Sequence, residues 1–263
     1  MTEAVAVPVT SLPGGGEMPM IGLGTWQLRG RAGREAVSAA LAAGYRHIDT
    51  ATMYGNESEV GRALADSGLP RESVFITTKL PSSKVGRERG TLAASLRALG
   101  TGYVDLWLVH WPPSSGRQLC QVWREFLPLR DEGRARAIGV SNYSLAQIDR
   151  LTEATGVTPA VNQIPWSPAR YDPALLAGHR ERGVALEGYS PLKGANLADP
   201  VLTGIATAHG VTPAQVILRW HLEHGITVIP KSSHPDRIAA NIDVLRFTLT
   251  PDQIARIDAL SRR

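Results

Sequence analysis

Four side chains in this sequence could together protonate an alkoxide that develops from a carbonyl: those of Asp49, Tyr54, Lys79 and His110. A tyrosine phenol, with a pKa of about 10, is too weak an acid for this step at neutral pH unless a nearby cation stabilises its phenolate. Lys79 could be that cation, and Asp49 could pair with it and keep it charged. His110 could hydrogen-bond the substrate oxygen and orient it toward Tyr54.

The sequence does not favour other common chemistries. The four residues include no serine or cysteine nucleophile, and the remaining histidines show neither an HExxH motif nor paired ligand spacing, so no metal site is predicted. His221 and His224 fit the exposed face of a helix better than a metal site. Neither a GxGxxG nor a Walker A motif occurs, so a bound nucleotide is expected to be held outside the Rossmann scheme.

The chain has 263 residues, 43% of them hydrophobic and 20% charged, which is typical of a globular protein. Its 28 basic and 24 acidic residues are scattered, which disfavours nucleic-acid binding, and the net charge of +4 would suit a phosphorylated cofactor. The single cysteine, Cys120, excludes an intrachain disulfide and fits a reducing cytoplasm. No signal-peptide pattern or long apolar segment occurs, so we predict a cytoplasmic protein without a membrane segment.

Short apolar runs typical of strands alternate along the chain with longer stretches of helical periodicity. Leu92, Leu96 and Leu99 recur at spacings of four and three residues, which places them on one helix face. Thr212 and Pro213 mark another helix start, as an N-cap followed by proline at the first helical position. The eight predicted strands span residues 21–24, 45–49, 74–79, 104–110, 135–140, 160–164, 184–189 and 226–229.

Strict alternation of strands and helices indicates an α/β fold. Eight cycles in about 210 residues match a closed (β/α)8 TIM barrel better than an open doubly wound sheet. No long linker or shift in composition interrupts the pattern, so residues 1–263 are expected to form a single domain. Residues 5–20, with Gly14-Gly15-Gly16 between two strand-like runs, predict an N-terminal β-hairpin across the bottom of the barrel.

The active face of such a barrel lies at the C-terminal ends of its strands. Seven of the eight predicted strands end in polar or charged residues, and three consecutive strands end in an acid, a lysine and a histidine. After the last strand, Lys231 and Arg237 offer two cations at the start of a helix, a common phosphate site in barrels. The polar strand ends are Asp49, Lys79, His110, Ser141-Asn142, Gln163, Tyr189-Ser190 and Lys231-Ser232.

These residues lie in motifs that resemble the aldo-keto reductase family, whose members are NAD(P)H-dependent carbonyl reductases built on a (β/α)8 barrel. The resemblance covers nearly the whole chain in the family's order, and the pairing of GYRHIDTA with YGNE is highly specific. Short bacterial members similar to 2,5-diketogluconate reductase are the nearest comparison. The matching motifs are LGTW, GYRHIDTATMYGNESEVGRAL, FITTKL, YVDLWLVHWP, IGVSNY, NQI, GYSPL, and IPKSS with RIAANIDV.

The resemblance implies that Asp49, Tyr54, Lys79 and His110 form a catalytic tetrad with Tyr54 as general acid. Hydride would pass from the nicotinamide of NADPH to a small aldehyde or ketone, and Tyr54 would protonate its oxygen. These four residues would then account for the chemistry of a carbonyl reductase.

The resemblance also implies how the cofactor is held. Ser141, Asn142 and Gln163 would hold the carboxamide, and Tyr189 would stack on the nicotinamide ring. The further residues implied for the cofactor are Thr25, Trp26 and Asp49, with Ser190, Leu192 and Gly194 along the pyrophosphate and Ser233 at the phosphate.

At the far end of the cofactor, Lys231, Ser232 and Arg237 would bind the 2′-phosphate, and Asn241 would lie near the adenine. Two cations at this point favour NADPH over NADH. Ala240 stands where a carboxylate or amide often precedes the asparagine. This departure is expected to weaken adenine recognition and to leave the phosphate contacts intact.

The substrate would lie between Trp26 and Trp111, beside Tyr54 and His110, with Tyr143 as a further wall. The segment after His110 is brief, and the end of the chain leaves little room for the long C-terminal loop that shapes steroid pockets. We therefore expect an open site that takes small or extended carbonyl substrates rather than steroids.

Two other functions stay open from the sequence. A sensor or regulatory subunit on the same fold would bind NADPH and serve a partner, although the intact tetrad favours catalysis. A lyase or isomerase that uses Lys79 as a Schiff-base amine would leave Tyr54 and the 231–237 cluster without roles. Nothing suggests a coiled coil or an unused apolar stripe, so we expect a monomer.

Overall fold

The computed structural model describes residues 7–13 and 16–262. Strands β1 (Val9–Ser11) and β2 (Glu17–Pro19) pair in antiparallel fashion. The predicted N-terminal hairpin is thus confirmed in its two strands. The predicted turn at Gly14 and Gly15 lies outside the described residues.

Eight further strands form one parallel sheet, in which each strand is hydrogen-bonded to the next along the chain. A parallel bridge joins Ile21 to Val228, and the amide of Gly24 donates to the carbonyl oxygen of Pro230 over 3.1 Å. The two edges therefore meet, which confirms the predicted barrel. The strands are β3 (Leu23–Gly24), β4 (His47–Asp49), β5 (Phe75–Leu80), β6 (Val104–Val109), β7 (Ala135–Ser141), β8 (Val161–Pro165), β9 (Ala185–Tyr189) and β10 (Thr227–Val228).

Helices connect the strands and follow the last one, and local signals set where they begin. Thr212 accepts a hydrogen bond from the amide of Gln215, whose side chain returns to the amide of Thr212, and Pro213 is the first helical residue, as predicted. The three leucines predicted on one helix face, Leu92, Leu96 and Leu99, lie in the helix Glu88–Leu99 and are all buried. The α-helices of the described residues are α1 (Gly30–Ala42), α2 (Glu57–Ser67), α3 (Glu88–Leu99), α4 (Gly116–Asp131), α5 (Leu145–Thr155), α6 (Pro173–Glu181), α7 (Pro200–His209), α8 (Pro213–Glu223), α9 (Pro235–Ile242) and α10 (Pro251–Asp258).

The barrel sheet is buried on both faces, as its apolar runs predict. Every residue of β5 and β6 is buried, and Trp107 of β6 stacks on Phe126 of α4 with ring centroids 3.7 Å apart. Leu12 and Met18 of the hairpin region pack in one apolar cluster with Leu106 of β6. The hairpin thus closes one end of the barrel, and the opposite end is left to the loops that follow the strands.

The sequence predicts His221 and His224 on an exposed helix face, and this prediction is wrong. His221 is fully buried, with Nδ1 2.8 Å from the carbonyl oxygen of Ile217 and Nε2 3.2 Å from that of Trp166. His224 is partly buried beside Asp258. Because α8 packs against α7, α9 and α10, neighbouring helices cover the face that the pattern assigns to solvent.

Within the described residues, no single helix is long and apolar enough to cross a bilayer. Helices α7 and α8 reach that length and composition only as a pair, and the chain bends by 88° between them. Leu202 and Ile205 of α7 and Val216 and Trp220 of α8 are buried in a common apolar cluster. The apolar faces of this pair are thus used in packing against each other.

Gly139 in β7 allows the strands to approach closely. A Cβ atom at this position would lie 2.6 Å from the carbonyl oxygen of Val161 and 2.8 Å from Cδ2 of Leu108. We therefore predict that Gly139→Ala lowers the free energy of unfolding by about 1–3 kcal/mol, because packed strands cannot yield to the added methyl group. Denaturant unfolding followed by circular dichroism measures the change.

Gly204 in α7 provides the matched control for this substitution. It is exposed, and beyond the adjacent residues and backbone of its own helix an added Cβ atom would meet nothing within 4 Å. Gly204→Ala should raise the free energy of unfolding by about 0.5–1 kcal/mol, because alanine loses less backbone entropy in a helix. Similar small effects of the two substitutions would contradict the close packing at Gly139.

Candidate active site

The four side chains that were predicted to act together meet at the C-terminal end of the barrel. Asp49 ends β4, Lys79 lies one residue before the end of β5, and His110 follows β6. Tyr54 ends a short 3₁₀ helix, Thr52–Tyr54, in the loop after β4. Lys79 Nζ lies 5.2 Å from the centre of the Tyr54 ring, which is 5.8 Å from the centre of the His110 ring. Neighbouring parallel strands thus bring the predicted set together.

The ammonium of Lys79 is fully buried and makes three hydrogen bonds. Nζ lies 2.7 Å from each carboxylate oxygen of Asp49 and 2.8 Å from the carbonyl oxygen of Thr50. Burial by itself would lower the pKa of Lys79, but the Asp49 carboxylate raises this pKa above its usual value. Lys79 therefore stays charged beside Tyr54.

The loop after β4 holds Tyr54 next to this ion pair. Thr52 Oγ1 donates to the carbonyl oxygen of Lys79 over 3.0 Å, and Gly55, with a φ of 66°, ends the turn in the left-handed region. Burial raises the pKa of Tyr54, while the charge of Lys79 acts in the opposite direction. The phenol is thus protonated at neutral pH and lies beside a cation that favours loss of its proton.

The ring of His110 is neutral. Burial, with a smaller contribution from the charge of Lys79, lowers the pKa of His110 to about 3. The backbone of His110 is held on both sides: its amide donates to the carbonyl oxygen of Leu80 over 3.0 Å, and its carbonyl oxygen accepts from Asn142 Nδ2 over 3.1 Å. Because a neutral imidazole carries one N–H, His110 can donate one hydrogen bond to a substrate oxygen.

A cavity of about 360 Å³ opens beside these side chains. Tyr54 and His110 line it, together with three large apolar side chains that are about half exposed: Trp26 at 57%, Met53 at 56% and Trp111 at 47%. One cavity is therefore bordered by four of the residues that were predicted around the substrate, namely Trp26, Tyr54, His110 and Trp111. Its rim is apolar, and its reactive groups are polar.

Polar residues at the ends of β7, β8 and β9 line the same cavity and are hydrogen-bonded to one another. Tyr189 Oη donates to Asn142 Oδ1 over 2.8 Å. Asn142 Nδ2 donates to Ser141 Oγ over 2.9 Å, and Ser141 Oγ donates to the carbonyl oxygen of Gln163 over 2.8 Å. Gln163 Nε2 donates to Asp49 Oδ2 over 2.8 Å. The residues predicted for the nicotinamide are thus linked by one series of hydrogen bonds that ends on the Asp49 carboxylate.

Backbone strain is concentrated at this end of the barrel. In the described part of the chain, the non-glycine residues with positive φ are Gln27 at 63°, Asn142 at 65° and Ser190 at 54°. All three border the cavities at the strand ends. Each costs about 1–3 kcal/mol, and such residues cluster at functional sites. Their position supports a binding role for these loops.

A second cavity, of about 730 Å³, continues from the first past the ends of β9 and β10. Trp26, Ser190 and Lys231 line both cavities, so the two form one groove. The groove runs from Tyr54 to the cations that follow the last strand. The other predicted cofactor residues that line the second cavity are Leu192, Ser232, Ser233, Arg237 and Asn241.

The far end of the groove is built around the N-terminus of α9. Ser232 Oγ accepts a hydrogen bond from the amide of His234 over 3.1 Å, and Arg237 lies in the first turn of the helix. Arg237 and Lys231 form no ion pair with any of the described residues. Two free cations at a helix N-terminus make this end suited to a phosphate group.

Two of the predicted cofactor residues are not among those that line the groove. Thr25 is fully buried, and its Oγ1 donates to the carbonyl oxygen of Asp49 over 2.9 Å. Gly194 has a φ of 81° and lies against Ala169. Thr25 and Gly194 thus shape the backbone beside the groove, and their side-chain positions do not face it.

Tyr143, which was predicted to wall the substrate pocket, lies in the core instead, so this prediction is wrong. Its side chain is 3% exposed and belongs to the main apolar cluster. The amide of Tyr143 donates to Asn162 Oδ1 over 3.4 Å, and Asn162 Nδ2 donates to the carbonyl oxygen of Tyr143 over 2.8 Å. The left-handed turn at Asn142 and these two bonds direct the ring away from the cavity.

Three residues at or beneath the groove were not singled out from the sequence. Lys193 lines both cavities and adds a third cation, and Met53 joins the apolar rim. Glu187 is fully buried in β9, where its Oε2 accepts a hydrogen bond from Gln163 Nε2 over 2.9 Å. A glutamate inside an apolar strand was the available signal, because a buried carboxyl needs partners.

The donor set of the groove fits a phosphorylated dinucleotide. Cations lie at one end, and the amides of Asn142 and Gln163 lie beside Tyr54 at the other. Among residues 7–13 and 16–262, no three histidine, cysteine, aspartate or glutamate side chains form a group that could hold a metal ion. With these cations and amides, the groove can bind a phosphate at one end and a carboxamide at the other.

Comparisons with known proteins agree with this geometry. A family model described as "Aldo/keto reductase family" matches residues 20–262. An aldo-keto reductase of Mycolicibacterium smegmatis is 49% identical over 257 residues, which cover 96% of this chain and 93% of the relative. The 2,5-diketo-D-gluconic acid reductase B of a Corynebacterium species is 44% identical, over 97% of this chain and 94% of the relative.

Solved structures of similar proteins share the fold. An aldo/keto reductase from Brucella melitensis matches with a TM-score of 0.94 at 45% identity, over 97% of this chain and 100% of that chain. A Bombyx mori aldo-keto reductase in complex with NADP matches with a TM-score of 0.91 at 34% identity, over 99% of this chain and 95% of that chain. The family model and these relatives extend over nearly the whole sequence, and this chain therefore belongs to the aldo/keto reductase family of oxidoreductases.

Proposed function

We propose that this chain reduces small aldehydes and ketones to alcohols with NADPH. The observation that carries the proposal is the position of Tyr54, which lies beside the buried pair of Lys79 and Asp49 at one end of the groove. Lys231 and Arg237 border the other end. NADPH, when bound, supplies a hydride to the carbonyl carbon. Tyr54 gives its proton to the carbonyl oxygen, and the two additions convert the C=O group into CH–OH.

The residues of the groove would hold NADPH at both of its ends. Lys231 and Arg237 would bind the 2′-phosphate, where the dipole of α9 adds to their charge. Asn142 and Gln163 would hold the carboxamide, and Tyr189 would lie against the nicotinamide ring. The NADP complex of the Bombyx mori relative supports this choice of cofactor.

The proton transfer uses groups that already face one another. Addition of hydride makes the carbonyl oxygen an alkoxide, which is a stronger base than a phenolate, so the proton moves from the Tyr54 hydroxyl to that oxygen. The charge of Lys79 stabilises the phenolate that remains. Neutral His110 donates its N–H to the same oxygen and orients it. Asp49 holds the ammonium of Lys79 in place.

The apolar rim of the cavity supports small carbonyl substrates. Trp26, Met53 and Trp111 present flat or flexible apolar surface at the entrance, about half of it open to solvent. Such a rim contacts the carbon skeleton of a substrate and leaves its carbonyl to Tyr54 and His110. The name of the Corynebacterium relative, a 2,5-diketo-D-gluconic acid reductase, agrees with a small carbonyl substrate.

We further propose that residues 1–263 act as one domain, as a monomer and in the cytoplasm. The continuous barrel sheet supports one domain, and the free thiol of Cys120 supports a reducing compartment. The lyase function is not favoured, because the buried Lys79 donates three hydrogen bonds and is not free to form a Schiff base. The sensor function is not favoured either, because the complete tetrad meets at the cavity.

Oxidation of NADPH in the presence of methylglyoxal, nitrobenzaldehyde and a diketone tests the proposed function. We expect the absorbance of NADPH to fall with at least one of these carbonyls, and the corresponding alcohol to form. Binding of NADPH without turnover of any carbonyl would contradict the proposal and favour a sensor. Trapping of a substrate on Lys79 by borohydride would favour a lyase instead.

The proton donor can be tested by removing one oxygen atom. We predict that Tyr54→Phe lowers kcat for carbonyl reduction roughly 10²- to 10⁴-fold, because general-acid catalysis is lost, while the Kd of NADPH stays unchanged. Tyr103→Phe is the matched control, since the Tyr103 ring lies between Arg71 and Arg136, away from the groove. A Tyr54→Phe enzyme that keeps most of its rate would show that another group delivers the proton.

The preference for NADPH can be tested at the far end of the groove. We predict that Arg237→Ala weakens binding of NADPH roughly 10- to 100-fold, the range for loss of a charged hydrogen bond, and changes NADH binding little. Arg256→Ala, on the exposed side of α10, is the control. Titration calorimetry with both cofactors gives the Kd values. Equal losses for NADPH and NADH would contradict the assignment of Arg237 to the 2′-phosphate.

A further inference from the structure

A carboxyl group that the reaction does not use lies beneath the groove. Glu187 in β9 is fully buried, and its Oε2 accepts from Gln163 Nε2 over 2.9 Å. Its Oε1 lies 3.6 Å from His47 Nε2 and makes no hydrogen bond to any of the described residues. A buried carboxyl with an unused oxygen is costly to fold. Its position next to Gln163 suggests what it does.

Gln163 has two carboxyl neighbours on the same side of its amide. Nε2 lies 2.8 Å from Asp49 Oδ2 and 2.9 Å from Glu187 Oε2. Only the NH₂ group can donate to both acceptors, so the network assigns the orientation of this amide. Gln163 Oε1 makes no hydrogen bond within the described part of the chain, and Gln163 lines the cavity beside Tyr54. This oxygen is therefore free to accept a hydrogen bond from a ligand.

Glu187 can hold the amide without adding a second negative charge. His47 Nδ1 donates to the carbonyl oxygen of Pro19 over 3.1 Å, and Nε2 of the neutral ring accepts from Thr77 Oγ1 over 3.1 Å. Burial lowers the pKa of His47 to about 4, and burial with the nearby Asp49 carboxylate raises the pKa of Glu187 to about 8. The Glu187 carboxyl is thus protonated at neutral pH, and its Oε2 remains an acceptor for the amide.

We propose that Glu187 is a positioning residue for the cofactor: it locks the Gln163 amide so that Oε1 of Gln163 accepts a hydrogen bond from the carboxamide of the nicotinamide. This proposal rests on the proposed function, because the group that Gln163 contacts belongs to NADPH. With Asp49 as its single partner, the amide could turn about its last side-chain bond. The second acceptor removes that freedom, so the hydrogen bond to the cofactor is formed at a lower entropy cost.

Two substitutions separate the hydrogen bond from the volume of the side chain. Glu187→Leu keeps a side chain of similar size and removes the acceptor. Glu187→Gln keeps an oxygen for Gln163 and, like a protonated glutamate, carries no charge. Gln163→Leu is the reference that removes the contact to the carboxamide altogether.

Titration calorimetry with two ligands reads out the effect. NADPH carries the nicotinamide, and 2′-phosphoadenosine diphosphoribose lacks it but keeps the phosphates and the adenine. We expect Glu187→Leu to weaken NADPH roughly tenfold, the loss of about one hydrogen bond, and to leave the Kd of the fragment unchanged. Glu187→Gln should bind both ligands like the natural protein.

Equal losses for NADPH and the fragment in Glu187→Leu would show a general structural role and overturn the proposal. So would a Glu187→Gln enzyme that loses as much NADPH affinity as Glu187→Leu. If Gln163→Leu weakens NADPH and Glu187→Leu does not, Glu187 alone is misassigned and the proposed function stands. If neither variant weakens NADPH more than it weakens the fragment, the placement of the nicotinamide in the proposed function is wrong as well.

A structure of the natural protein with NADPH tests the same point and does not depend on how a variant folds. We expect the carboxamide nitrogen within hydrogen-bond distance of Gln163 Oε1, with Gln163 Nε2 still on Glu187. A carboxamide oxygen on Gln163 Nε2, or a Gln163 side chain that has left Glu187, would overturn the proposal.

Discussion

The buried ammonium of Lys79 constrains the rest of the active site. All three of its hydrogen bonds go to Asp49 and Thr50, so it ties the end of β5 to the end of β4. Taking both charges of such a pair out of water costs several kcal/mol per ion, and only complete hydrogen bonding offsets that cost. The Asp49 carboxylate accepts a further hydrogen bond from Gln163 of β8. The pair thus fixes three strand ends at once.

Polar contacts extend from this pair in two directions. Toward the cavity, Lys79 lies beside the Tyr54 ring, whose loop is itself bonded to β5 through Thr52. Toward the interior, Gln163 connects the pair to Glu187, which faces His47. One network therefore spans the barrel from the proposed proton donor to the buried residues above the hairpin. In the proposed reaction, this continuity lets the barrel itself hold the reacting groups in place.

Much of this arrangement was predictable because parallel strands place their C-terminal ends at one face. A lysine such as Lys79, at the end of an apolar strand and between strands that end in an acid and a histidine, already indicates a shared site. Side-chain direction after an irregular turn was not predictable: the left-handed Asn142 turns Tyr143 into the core. The spacing of residues along a helix could not show that neighbouring helices bury His221. Glu187 was missed because its neighbours, Gln163 of the adjacent β8 and His47 of β4, approach it only once the barrel has formed.

Whether the charge of Lys79 sets the acidity of Tyr54 can be measured directly. The rate constant of reduction is measured in a single turnover, with NADPH bound, after a rapid pH jump. We expect this rate constant to fall at high pH, because Tyr54 loses its proton there. Because the cation lowers the pKa of Tyr54, its removal in Lys79→Met should move this alkaline limb to higher pH and slow the reduction at neutral pH. An alkaline limb at the same pH in Lys79→Met and the natural protein would contradict the account.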